Sequence, residues 1–375
     1  MIASRRSSRR CARSVAILAV IVAALATVAA CGSDQSASVV AAGTQVVELP
    51  GAEGAIDFDD IVYSSRLNRL IVPARRSGLY LADPRTGAAT RVGHLFSADS
   101  AVDGEGTIFV ADRERRTITA VSPRNGRTNF SLKTDAPLDY VRHVASTREL
   151  WVTEPAASPS GIEVFTLAGH ARATPRHAGF IPVPGGPEGL TIDSTRGTAY
   201  THAGGELVVI DIRRRDVTAR WPSGCRATHG FPQVDDRHQL VLASCASDGS
   251  VSLLSLNDGR RLGRYATGGG EALPAYSAAT NHFYVRGDPG TSLVTLKASE
   301  AGLAEVDEVS VPNAGHCLTA DDVGHYWTCD AEHGRVLRFD DPRAASQHEP
   351  PAGEAPAGAD WNNAYHRHPG RLSTQ

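Results

Sequence analysis

The sequence is short of the features that announce most chemistries. One methionine stands among 375 residues, and aromatic side chains make up only 6%. It has no Gly-x-Ser-x-Gly elbow, no Gly-rich phosphate loop ahead of a helix, no His-Glu-x-x-His and no Cys-x-x-Cys-His. These absences remove the common nucleophile, nucleotide, zinc-protease and haem signatures. Helical periodicity is missing beyond residue 40, so the bulk of the chain cannot be a helical bundle. The single long apolar run, Val15 to Ala30, is sixteen residues, short of the roughly 20 that a membrane-spanning helix needs.

That run has a context of its own. Met1 to Ser14 carries Arg5, Arg6, Arg9, Arg10 and Arg13 with no acidic residue, then the apolar stretch ends in small residues. A basic region, a short apolar region and a small-residue junction describe a secretory signal over residues 1–30. Without it, 33 Lys plus Arg face 41 Asp plus Glu, a formal charge of −8. No basic block remains that could follow a phosphate backbone, so nucleic acid is not an expected partner.

What the chain does have is glycine (36), proline (21) and an apolar fraction of 41%. Short strand-like runs recur between polar turns. Their clearest marker is a three-residue unit centred on Ile71, Phe109, Trp151, Tyr200, Val241, Tyr284 and Trp327. Successive centres lie 38, 42, 49, 41, 43 and 43 residues apart, near the spacing of about 40–50 residues typical of propeller blades. A second strand, a turn and a weaker outer strand follow each marker. The fold class predicted is all-β, a seven-bladed β-propeller of four-stranded antiparallel blades over residues 45–341. A stack of sandwich domains is the alternative.

The seventh unit lacks an outer strand, because Asp341 opens a Pro/Ala/Glu-rich stretch that reads as a flexible tail over 342–375. Gln45 to Pro50 has the missing character, so this segment is predicted to pair with the last blade and close the ring. Closure removes two exposed sheet edges.

Two resemblances add to this. Val28-Ala29-Ala30 ahead of Cys31 resembles the lipobox of bacterial lipoproteins. It implies lipidation (palmitate) at Cys31, residues 31–44 as a tether, and an extracytoplasmic chain anchored to the bacterial cell membrane and displayed at the cell surface. The stretch from Cys225 to Val285, with its Cys…His-Gly…Asp…Cys pattern before a valine-rich strand, resembles YVTN/YncE-like extracytoplasmic propellers. That likeness implies the propeller fold and a Cys225–Cys245 disulfide. The four cysteines beyond Cys31 allow three pairings. The repeats place Cys225 with Cys245 and Cys317 with Cys329. Spacings of 20, 72 and 12 give no close pair for a four-cysteine metal site.

Inner strands line a propeller's channel, and residues 8–13 positions before each marker centre should gather near one mouth. They are Asp59, Asp60, Asp99, His143, Glu188, His229, Glu271 and His316. Imidazoles among carboxylates can hold a divalent metal, and His143, His229, His316 and Glu188 are the candidate ligands. Asp59, Asp60, Asp99 and Glu271 complete the candidate channel-mouth site. The same ring could serve a small polar ligand or a protein partner, or carry no ligand in a wet channel.

Gly185-Gly-Pro-Glu-Gly-Leu190 is similar to an element of calcium-dependent, gluconolactonase-type propellers, although the order of Glu, Gly and Pro differs. With no catalytic motif, the expected function is a monomeric ligand- or protein-binding module rather than an enzyme. The alternative is a calcium- or other metal-dependent hydrolase of the lactonase type.

Overall fold

Residues 43–343, apart from 168, 170–172 and 248, are described by the computed structural model. The expected signal over residues 1–30, Cys31 with its expected lipid, and the chain beyond 343 lie outside the described residues.

Seven four-stranded antiparallel sheets follow one another along the chain. Each marker run falls in the second strand of its blade: Arg69–Pro73, Thr107–Asp112, Glu149–Glu154, Thr198–Ala203, Leu240–Ser244, His282–Asp288 and His325–Asp330. These strands are buried over most of their length because neighbouring blades cover both faces. That explains why they read as continuous apolar runs and not as alternating ones.

The hydrophobic clusters lie between blades. Trp151, Ile162 and Val164 of blade three pack with Leu190, Ala199 and Val208 of blade four. Tyr284 and Leu293 of blade six meet Tyr326, Leu337 and Phe339 of blade seven. Tyr284 and Tyr326 stack with ring centroids 4.2 Å apart. The large aromatics Trp151, Tyr200, Tyr284, Tyr326 and Trp327 are all buried, so they are packing residues and form no open aromatic cage.

Closure takes the predicted form. Gln45–Val47 pairs antiparallel with Arg335–Asp340, with Gln45 opposite Arg338, Val46 opposite Leu337 and Val47 opposite Val336. Val47 and Leu49 join Trp327, Val336 and the first blade's Leu70 and Val72 in one cluster. Arg338 Nη1 donates to Gln45 Oε1 at 2.8 Å and to the Pro84 carbonyl at 2.9 Å, tying the closing strand to both the last and first blades. The ring is therefore sealed by the residues that precede the first repeat.

Two disulfides lie within blades, Cys225–Cys245 in the fifth and Cys317–Cys329 in the seventh.

Candidate metal centre at the channel mouth

The inner strands begin at one end of the channel, and the residues just before or at these starts converge there. Blade five delivers His229, blade six Glu271 and blade seven His316. His229 Nε2 lies 3.0 Å from His316 Nε2 and 3.3 Å from a Glu271 carboxylate oxygen. One ligand atom from each of the three lies within 4.8 Å of the others, the arrangement of a metal-holding group.

Local backbone chemistry makes this approach possible. Gly189, next to Glu188, has φ 68°, and a Cβ there would sit 2.0 Å from the Gly230 carbonyl. Only glycine allows blade four to come this close to the His229 loop. His202, fully buried behind that loop, donates from Nδ1 to the same Gly230 oxygen at 2.9 Å. Burial, ahead of all other influences, pulls His202 down to about 4, so it remains a neutral support. Gly270 (φ 61°) likewise leaves room for the Asp288 carbonyl 2.1 Å from where its Cβ would be, ahead of Glu271.

Asp288 ends the second strand of blade six and accepts from His316 Nδ1 at 2.9 Å. This bond puts the Nδ1 proton on the carboxylate side and turns Nε2 toward His229. Burial alone would depress His316, but the Asp288 hydrogen bond and the charges of Asp59, Asp288 and Glu271 outweigh it and raise its pKa. His229 has burial as its largest influence, and its pKa is lowered. Two adjacent imidazoles are thus pushed apart in basicity, and at least one is held ready as a neutral donor.

A second set of charges borders the triad. Glu188 lies 3.9 Å from His229 Nδ1, with its pKa raised by burial and then by Asp59. Arg113 is ion-paired with both Asp59 and Asp139. Tyr140 donates its hydroxyl to Asp59 at 2.8 Å. Burial pushes Asp139 up to about 7 despite Arg113, with Asp59 and Glu188 adding to the rise. Asp99 stands behind this group, bound to Arg75 at 2.6 Å.

Below the triad the channel is filled. Arg142 makes a two-armed contact with Asp60 at 2.9 and 3.1 Å and lies over the Phe231 ring at 4.4 Å. Tyr140 meets Phe231 edge-on at 4.6 Å. Beyond this septum lies a chamber of about 290 Å³ whose lining includes His143, Val62, Val102, Gln233 and Tyr276.

Of the residues expected at the mouth, the structure brings together Asp59, Glu188, His229, Glu271 and His316. Asp60 belongs to the septum and Asp99 to the outer support. His143 does not join the metal group: it sits within the inner strand Val141–Val144, packs against Gly104 and lies on the far side of Arg142. A residue only 8 positions before its marker has already passed down the channel. Asp139, twelve positions before Trp151, has the offset of Asp59, Glu188 and His229 and occupies the place assigned to His143. Its spacing was the signal that could have found it. Asp288 ends a second strand and Arg113 follows one, a segment that a search ahead of the markers does not reach.

The metal group also corrects the expectation of a binding module rather than an enzyme. Two imidazoles and one carboxylate are a ligand set used in metal-assisted catalysis, so catalysis is within the chemical reach of this mouth.

No family model matches the sequence, and no curated protein does. Many solved structures are similar in fold. They include a chain from the crystal structure of the Mitotic Checkpoint Complex, with a TM-score of 0.67 and 12% identity over 79% of this chain and 94% of that one. The RRP9 WD40 repeats align with a TM-score of 0.66 and 12% identity over 80% and 98% of the two chains. The β-propeller domain of Myceliophteria thermophila Cps50 (Swd1) gives 0.62 and 11% over 79% and 99%. Identity at this level reports shared fold and nothing finer. These findings correct the YVTN/YncE-like assignment, because the likeness extends to WD40 repeats and singles out no bacterial lipoprotein group. A signal, lipidation with palmitate, membrane attachment and cell-surface display gain no support from these likenesses. What the structure and the comparisons support is the seven-bladed propeller fold, shared with WD40-repeat structures.

Proposed function

We propose that this propeller binds a divalent transition metal through His229, Glu271 and His316 and acts as a metal-dependent hydrolase on a small ester or lactone. The observation carrying the reading is the convergence of three ligand groups from three consecutive blades.

The distances suit a shared ion. Two nitrogen ligands, each about 2.05 Å from a tetrahedral zinc ion, would stand about 3.3 Å apart. The two Nε2 atoms are 3.0 Å apart, so a small outward movement of the rings suffices. Two imidazoles favour zinc, cobalt or iron over calcium, which prefers a shell of oxygens. The calcium form of the lactonase reading therefore fits this donor set less well.

A bound divalent ion would supply Lewis acidity at the substrate carbonyl. Glu188 and Asp139, both raised in pKa, are the carboxylates suited to taking a proton from water near neutrality. Asp288 keeps His316 oriented, a role that commonly accompanies metal-bound imidazoles. Arg113 and Tyr140 hold Asp59 in place, and the Arg142–Asp60 septum limits water entry from the opposite end.

The test is metal analysis of chain purified without chelator, followed by an ester and lactone panel with and without chelator. Near-stoichiometric zinc, cobalt or iron, lost in His229→Ala and His316→Ala, and chelator-sensitive turnover support the reading. Equal metal content in wild type and both variants overturns it.

A further inference from the structure

The two disulfides differ in burial and in what they hold. Cys317 and Cys329 are 2% and 0% exposed. Cys225 lies partly open at the surface while its partner Cys245 is buried. The second strand of blade five leads directly into Cys245, and its end is bonded to two of the three metal-group loops. The Ser244 carbonyl accepts the His229 amide at 3.2 Å, and the Ser244 hydroxyl donates to the His229 carbonyl. Cys245 forms an isolated bridge with Thr228. The Cys245 carbonyl accepts the amide of Ala272, immediately after Glu271, at 3.1 Å. One cysteine thus anchors both the loop of His229 and the strand start of Glu271.

From this we infer that the Cys225–Cys245 disulfide is a positioning element of the metal group, and that its reduction by a dithiol lowers metal affinity. The inference rests on the metal reading above. Cys225 lies within a stretch pinned by the Ser223 and Thr228 amides to the Gly205 and Gly204 carbonyls, so the bridge ties Cys245 to the turn between the second and third strands of blade four. With the bridge intact, His229 and Glu271 are held from the same anchored point. Once it is cut, the 225–230 loop is held by hydrogen bonds alone, including those of the Thr228 hydroxyl to the Gly204 carbonyl and of the Ser244 hydroxyl to the His229 carbonyl, and His229 has more conformations to lose on binding a metal.

The chemistry balances as ordinary thiol–disulfide exchange. A thiolate of the dithiol attacks one sulfur of the bridge and forms a mixed disulfide, releasing the other cysteine. The second thiol of the reductant then displaces the remaining cysteine. Two electrons and two protons pass to Cys225 and Cys245, and the reductant leaves as its cyclic disulfide. Partial exposure makes this bridge the accessible one, whereas Cys317–Cys329, beside His316, is shielded.

The experiment measures zinc affinity by competition with a chromophoric chelator, together with amide hydrogen exchange at His229 and Ala272. It compares wild type with the double variants Cys225→Ala/Cys245→Ala and Cys317→Ala/Cys329→Ala. Wild type reduced with dithiothreitol and freed of it under argon gives the same comparison without substitution, should a variant fold poorly. The expected result for the reduced chain and the first double variant is a loss of about 10–100-fold in zinc affinity, the range for lost supporting contacts, with faster exchange at both amides. Zinc affinity equal to that of the oxidised wild type, with unchanged exchange, overturns the inference. Absence of zinc uptake by the oxidised wild type defeats the metal reading itself and the switch with it. Uptake indifferent to the bridge defeats only the switch.

Discussion

His316 donates its Nδ1 proton to Asp288 across 2.9 Å, and this one bond decides which face of the imidazole meets His229. Asp288 also accepts the Gly315 amide at 3.3 Å, so it orders the loop as well as the ring. Asp288→Ala frees both. Zinc affinity is expected to fall about 10–100-fold, the usual cost of losing a carboxylate behind a ligating histidine, and calorimetric zinc titration checks it. An unchanged affinity would mean that His316 is oriented by packing alone.

Gly189→Ala tests the close passage between blades four and five. A methyl group there would collide with the Gly230 carbonyl, and the φ of 68° is itself unfavourable for alanine. The variant is expected to lose about 1–3 kcal/mol in urea unfolding and to weaken zinc binding, since Gly230 adjoins His229. Loss of stability with intact zinc binding would separate the fold from the site.

Glu154 and Glu163 share a hydrogen bond in blade three, and both are nearly inaccessible to solvent. Burial first, then the charge of Glu154, pushes Glu163 up to about 8 from an ordinary 4.5. Between these limits the folded chain keeps a proton that the unfolded chain has released. The pair's contribution to stability is therefore complete below about 4.5 and declines as pH rises toward about 8. Glu163→Gln should flatten that decline, and urea midpoints of both proteins across this window measure it. Parallel pH profiles would exclude the shared proton.

Trp327 is 1% exposed and lies in the cluster that joins the last blade, the closing strand and the first blade. Trp327→Ala should cost about 3–5 kcal/mol. Removal of the chain through Leu49 should lower the melting temperature and the solubility, because the outer edge of Arg335–Asp340 is then exposed. Unchanged melting after that truncation would deny the closing strand its role.

Much of the architecture was legible because blade stacking writes itself into sequence. The second strand of each blade is covered on both faces, so Leu70-Ile71-Val72 and its six counterparts stand out at regular spacing. The closing strand was legible as a surplus at one end and a deficit at the other. Position along the channel was less so. Asp139 precedes the inner strand Val141–Val144 and His143 lies within it, so four residues separate a group at the mouth from one beyond the septum, a difference that the twelve-residue offset hints at and the register with the second strand fixes.

Sequence alone determined the strand repeat, the number of blades and the closing segment, since each follows from local pattern and from the need to bury apolar sheet faces. Tertiary structure decided which ionisable groups meet. Asp288 comes from the end of a second strand and Arg113 from the turn after one, and His229, Glu271 and His316 come from three different blades. Their distances depend on how far each blade is rotated about the axis and how closely glycine allows neighbouring backbones to approach. No single repeat contains that information.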